Sequence, residues 1–209
     1  MEEFCENSQL EEVDLPSGYK FKPTSVELVV YYLKRKIMGV LGDKLQANTI
    51  PTTDVYACNP QHLPFDLFTH GKPDIWFFFS KRRKGKILTS DGYYDLVPCD
   101  REAIYEETYN DGSRKRKLVG FMRKLHYHDG KPPKGVQSRW VVEEFRVNPG
   151  TIDGEEDDYA TRQKVANLVI CKVIYNNPSP PEDEEWYEMP DVDICEYDDF
   201  ENGMIDEEE

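Results

Sequence analysis

A mixed α+β fold dominated by strands is predicted by three features of the sequence. Only one stretch spaces its apolar residues as a helix does, four stretches run or alternate as strands do, and the gaps between them are rich in Gly, Pro, Asn and Asp. At 209 residues the chain has room for one sizeable domain with tails. The aromatic residues, 12% of the total, supply enough apolar area for an ordinary core.

The helix is expected over Val26 to Met38, where Leu28 with Tyr32, and Val29 with Leu33 and Ile37, repeat at four-residue spacing. Thr24 and Glu27 fit a capping box at its start and Gly39 fits its end. From Gly42 to His70 the chain is broken by Pro51, Pro60 and Pro64, with a possible helical turn at Asp54-Val55-Tyr56. Ile75 to Ser80, with Trp76 and three consecutive phenylalanines, is too short for a buried helix and reads as a central strand. Val119 to His128 alternates, placing Val119, Phe121, Leu125 and Tyr127 on one face and Met122, Lys124, His126 and His128 on the other. Trp140 to Val147 and Leu168 to Tyr175 supply two further strands, the last almost wholly apolar. Asn110-Asp111-Gly112 marks a hairpin turn, and Asp129 to Gly135 a longer loop.

The net charge of -15 argues against nucleic acid, yet its distribution reverses the argument. Residues 1–14 hold six acids and no base, and residues 176–209 hold fifteen acids and no base. Residues 15–152 carry 23 bases against 15 acids. A basic centre between acidic ends is the asymmetry of a nucleic-acid binder with acidic appendages. Both ends, 1–14 and 176–209, are expected to be disordered. Cys5, Cys58, Cys99, Cys171 and Cys195 are odd in number and irregularly spaced, so free thiols in a reducing compartment are expected. Met-Glu-Glu-Phe-Cys lacks the pattern of a secretory signal, and no apolar run approaches a membrane span, which predicts an intracellular protein.

Five short motifs in order carry a family resemblance. Leu15-Pro16-Ser17-Gly18-Tyr19-Lys20-Phe21-Lys22-Pro23-Thr24 with Glu27-Leu28-Val29 and Tyr32-Leu33, then Asp54-Val55-Tyr56 with Pro60 and Leu63-Pro64, open the set. Trp76 to Ser80, then Val119-Gly120 through Gly130 to Gly135 and Trp140, then Leu168 to Val173 complete it. The chain thereby resembles the plant NAC transcription-factor family over about residues 15–175. The resemblance implies a twisted antiparallel sheet flanked by short helices, a dimer formed through the first motif, a strand edge that enters the DNA major groove, nuclear location and a regulatory C-terminal region. The implied partners are double-stranded DNA, a second NAC chain and a coactivator bound through the acidic tail.

Two departures stand out. Leu168 replaces the family's usual tryptophan. Where family members carry Gly-Tyr-Trp-Lys-Ala-Thr-Gly in the groove, this chain has Gly92-Tyr93-Tyr94-Asp95-Leu96-Val97-Pro98, with a shortened loop before it. A carboxylate at Asp95 repels phosphates, although it is able to accept a hydrogen bond from cytosine N4.

The candidate DNA contacts are the runs Lys81, Arg82, Arg83, Lys84 and Lys86, and Arg114, Lys115, Arg116 and Lys117, together with Tyr94, Asp95, Arg123, Lys124, Lys131, Lys134 and Arg139. The bland reading of each basic run is a solvated loop or an import signal. The resemblance assigns the dimer interface to Leu15, Pro16, Gly18, Tyr19, Lys20, Phe21 and Glu27, with Lys20 and Glu27 bridging subunits. Lysine lacks the arginine fork there, and Glu27 serves a capping box with or without a bridge.

His126 and His128 share a strand face, but no spacing supplies further zinc ligands, so no metal or other cofactor is expected. Glu143 and Glu144 point to opposite faces, and no nucleotide-binding loop, zinc-protease or serine-hydrolase motif occurs. No catalysis, small-molecule substrate or membrane association is expected. The favoured reading is a dimeric, sequence-specific DNA-binding regulator; the alternative is a subunit that pairs with other NAC proteins and modulates them without strong DNA binding of its own. Scattered Trp186, Tyr187, Phe200 and other apolar residues among the tail's acids are consistent with an activation segment, an inert tail or masking of the basic centre.

Overall fold

The computed structural model describes residues 20–40, 49–111, 113–152 and 158–177, with backbone alone at 98–100 and 110. The expectations for 1–14, for Leu15, Pro16, Gly18 and Tyr19, and for the tail from 178 onward fall outside these residues.

The first helix, α1, runs in π geometry over Glu27–Lys34 and in α geometry over Arg35–Met38. Its start is the reciprocal box read from sequence. Thr24 N donates to Glu27 Oε2 at 2.8 Å and Glu27 N donates to Thr24 Oγ1 at 3.2 Å, which satisfies two donors the first turn leaves open. Gly39 ends the helix in the left-handed region at φ 71°, where a Cβ is unfavourable. Leu28, Val29, Leu33 and Ile37 bury one face against the sheet.

Six strands follow: β1 (Ile75–Lys81), β2 (Ile87–Leu88), β3 (Gly92–Asn110), β4 (Ser113–Asp129), β5 (Val136–Val147) and β6 (Leu168–Tyr175). They form one antiparallel sheet in the order β1-β6-β5-β4-β3-β2. A second helix, α2 (Tyr159–Asn167), leads into β6, capped by the Asp158 carboxylate on Thr161 N at 2.6 Å.

The three-phenylalanine strand is not central, as its composition suggested, but lies at the sheet edge. It behaves as an interior strand because both faces and its outer rim are covered. Phe77 and Phe79 enter the core under α1, while Phe78 enters a second core on the other face. Each ring contributes on the order of 2 kcal/mol by leaving water. Thr53 N donates to Phe79 O at 2.9 Å and Phe79 N to Pro51 O at 2.8 Å, so the preceding loop occupies the edge that would otherwise be exposed. The almost wholly apolar β6 does lie inside the sheet, between β1 and β5.

The alternation expected along β4 holds from Gly120 onward and fails at Val119. Ile104 pairs with Gly120 and Tyr105 with Leu118, so Val119 is an extra residue in the β3–β4 ladder. That bulge shifts the phase by one, and Val119 joins Met122 in the core beneath α1 instead of following Leu125 and Tyr127 into the second core. The second core is closed by the segment 51–68. Its short helical turns at Val55–Ala57 and Pro60–His62 are held by Asp54 Oδ1 on Tyr56 N (3.3 Å) and Asn59 Oδ1 on Gln61 N (3.1 Å).

Each face of the sheet is thus covered over part of its length. The uncovered parts of the long β3–β4–β5 strands carry the charged residues.

Candidate nucleic-acid interface

The basic run after β1 forms a loop anchored at both ends. Arg82 N donates to Asn167 O at 2.7 Å, and Arg83 O accepts from Arg123 Nη2 at 2.8 Å. Arg83 also pairs with Asp54 at 2.6 Å. Lys81, Lys84 and Lys86 are exposed, and Lys86 lies 4.7 Å over the Tyr93 ring.

The second run, Arg114 to Lys117, opens β4 at the tip of the β3–β4 hairpin, with Asp111 at φ 50° in the turn. All four side chains are exposed. Glu107 on β3 pairs with Arg114 and, at 3.5 Å, with Arg116, whose guanidinium stacks 4.4 Å over Tyr105. The Arg114 pair pulls the Glu107 carboxyl below its ordinary value. The two runs do not converge: Arg116 and Arg123 are seven residues apart on β4, about 23 Å at strand rise. Lys131 and Lys134, exposed in the loop after β4, lie beyond its other end. Lys124 points to the face opposite Arg123, and Arg139 is exposed near the start of β5.

Three residues marked as contacts take other positions. Tyr94 is a core residue, 1% exposed, and its hydroxyl donates to Val55 O at 2.8 Å, because strand alternation turns it toward the segment 51–68. Phe21, expected at a dimer interface, is buried in an edge-to-face cluster with Tyr32, Phe68 and Phe77. Arg123 turns inward, where its Nε donates to Glu144 Oε1 at 2.7 Å and its Nη2 to Oε2 at 2.9 Å.

Glu144 is the main residue that sequence reading missed. It is 1% exposed and also accepts from the Tyr56 hydroxyl at 2.6 Å. Burial works to lower the Arg123 pKa, but the paired carboxylate outweighs it and holds the guanidinium above its ordinary value. The Tyr56 hydroxyl is pushed well up by burial, with the nearby thiol and carboxylate adding to the shift. Opposite faces for the two glutamates were legible, since Glu143 instead pairs with Lys172 at 2.8 Å.

Asp95 is exposed on β3 opposite His126, on the same face as Tyr93 and opposite to Tyr94. Its Oδ1 accepts from Leu96 N at 3.1 Å. His128 stacks 4.9 Å from Tyr93, and His126 contacts Gln137. Among the described residues no group of three metal-ligating side chains forms, and no helix is long and apolar enough to cross a membrane. Lys20 and Glu27 border a shallow hollow of about 280 Å³ with Lys22, Tyr31 and Tyr32. The capping bonds from Thr24 both land on Glu27 Oε2.

Residues 16–147 match the family model described as No apical meristem (NAM) protein. The chain belongs to the NAC family. This is a family of plant transcriptional regulators. NAC domain-containing protein 86 of Arabidopsis thaliana is 31% identical over 169 residues, covering 76% of this chain and 33% of the relative. NAC domain-containing protein 54 of Oryza sativa subsp. japonica is 32% identical over 185 residues, covering 84% and 25%. NAC domain-containing protein 53 of Arabidopsis thaliana is 33% identical over 186 residues, covering 86% and 31%. The chain spans a quarter to a third of the length of these NAC relatives.

Proposed function

We propose that this chain is a nuclear, dimeric, sequence-specific DNA-binding regulator. The observation that carries the reading is that the family match, residues 16–147, coincides with the basic centre of an otherwise acidic chain. The exposed lysines of the loop after β1, the hairpin cations and the loop carrying Lys131 and Lys134 supply phosphate contacts along the β3–β4 ribbon. A coactivator docking on the acidic tail belongs to the same reading.

The test is a titration of the purified full chain against random-sequence and selected duplexes at two salt concentrations. Specific binding that exceeds binding to random duplex at both salts is the expected result, and equal, salt-sensitive binding to every duplex overturns it.

The exposed carboxylate of Asp95 favours a second reading, a subunit that pairs with other NAC chains and modulates their DNA binding. Both readings need a dimer. Lys20 and Glu27 border one hollow at the start of α1, and in this reading they bridge two copies. Glu27→Lys is expected to weaken self-association in sedimentation by opposing two cations, each exposed pair being worth about 0.2–1 kcal/mol. Glu27→Gln, which keeps an acceptor for Thr24, separates the bridge from the cap. A wild-type monomer at roughly tens of micromolar sinks the dimer.

A further inference from the structure

On the face of the sheet opposite α1, next to segment 51–68, whose Tyr56 hydroxyl reaches Glu144, Arg82, Arg101, Arg123 and Arg146 line a cavity of about 350 Å³ together with Glu102 and Glu144. Cross-strand register builds it in two rows. Arg101, Arg123 and Glu144 stand side by side on β3, β4 and β5, and Ala103, Phe121 and Arg146 stand beside one another in the next row. Ala103 is short enough to leave the space open. The Phe121 ring forms one wall, with the Arg146 guanidinium 4.4 Å from its centroid, which orients the fork.

The charges in this cavity do not balance. Glu144 is engaged on both oxygens by Arg123. Arg82 reaches the same carboxylate only at 3.8 Å, and its Nε, buried, has no hydrogen-bond partner. Arg101 lies directly across from Arg123, a like-charge pair that a strand ladder normally avoids. Burial and then the neighbouring arginines, Arg82 foremost, push the Arg146 pKa down, although Glu144 works against them. The cavity therefore holds unneutralised guanidinium donors with one orphaned N–H. A tetrahedral dianion or a phosphodiester answers both deficits, because guanidinium forks bind such oxygens in pairs.

We propose that this cavity is a phosphate-binding socket in which Arg82, Arg101 and Arg146 hold the anion while the Arg123–Glu144 pair fixes the floor. A backbone phosphate of DNA and a free phosphate present the same chemistry to it. The DNA arm rests on the function proposed above; the free-phosphate arm stands without it.

The test uses the full chain with inorganic phosphate as probe, exchanged against chloride at constant ionic strength, and reads the thermal midpoint. A saturable rise specific to phosphate is expected for the wild type and is lost in Arg146→Gln. Arg101→Gln, at an exposed position, is expected to weaken the phosphate response about tenfold, the loss of one charge-assisted contact. In parallel, both variants are titrated with a duplex over a salt series. A salt slope lower by about 0.9 than wild type identifies a DNA phosphate as the occupant. Loss of the phosphate response with unchanged duplex binding, or with no duplex binding by any form, supports the socket and identifies a free phosphate. The proposal is overturned if phosphate stabilises no more than chloride while the variants keep the wild-type salt slope, or if the phosphate response survives in both variants.

Discussion

Glu144→Ala is expected to destabilise the protein by about 3–5 kcal/mol, the range for breaking one side of a buried ion pair. The carboxylate is 1% exposed and holds both the Arg123 fork and the Tyr56 hydroxyl. Its removal strands a guanidinium whose side chain is 17% exposed, too little for water to replace the lost partner. It also leaves a buried hydroxyl without its acceptor, which costs a further increment within that total. Glu144→Gln keeps the shape and one acceptor oxygen, so a smaller loss of about 1–3 kcal/mol is expected. Urea unfolding reads both as a lower midpoint at unchanged slope. Pairing Glu144→Leu with Arg123→Met should recover most of the loss, since two apolar side chains remove the stranded charge. A loss under about 1 kcal/mol for Glu144→Ala, the level of an exposed pair, contradicts a buried network here.

What the sequence disclosed and what it concealed divide by the range of the interactions. The Thr24–Glu27 box, the Gly39 end of α1 and the Asp111 turn are set by residues three or four positions apart, and each was readable because its physics is local. The strand β6 was readable from composition because both its faces are covered. Edge placement of β1 was not, since an apolar strand whose rim is closed by Pro51 and Thr53 has the same composition as an interior one. The Val119 bulge escaped the alternation rule because it depends on how Ile104 and Tyr105 pair on another strand. Glu144 stood out in the sequence only as one of two adjacent acids on opposite faces of a strand. Its burial depends on Tyr56 and Arg123, 88 and 21 positions away, and no spacing in the chain announces such a meeting. Arg101 and Arg146 were overlooked for the same reason, as each stands alone in sequence and gathers with the others only across three strands. Runs of charge were conspicuous, and the structure sets them apart, one in the loop after β1 and the other at the start of β4.

Asp95→Lys is expected to tighten DNA binding and to steepen its salt dependence by roughly 0.9 for the added phosphate contact. The position is exposed, and its bond from Leu96 N is to the next residue, so the exchange asks nothing of the core. An unchanged urea midpoint checks that. If β3 approaches DNA from the face that carries Asp95, the substitution converts a repulsive charge into an attractive one. The gain is sequence-selective only to the extent that the neighbouring residues meet base edges, and Leu96 and Val97 offer apolar contacts alone. Charge-neutral substitution at Lys84 and Lys86, or at Lys115 and Lys117, should by contrast weaken binding to all duplexes alike, the mark of phosphate contacts. The two functional readings part at the wild type. A DNA-binding regulator prefers one sequence by about a hundredfold or more, even below the usual range for specific binders. A modulating subunit shows flat, weak binding alone yet still captures another NAC chain, and Asp95→Lys then raises its affinity on specific and scrambled duplexes equally. Wild type and variant measured on both duplexes separate these outcomes, and an affinity that Asp95→Lys leaves unchanged removes β3 from the DNA contact altogether.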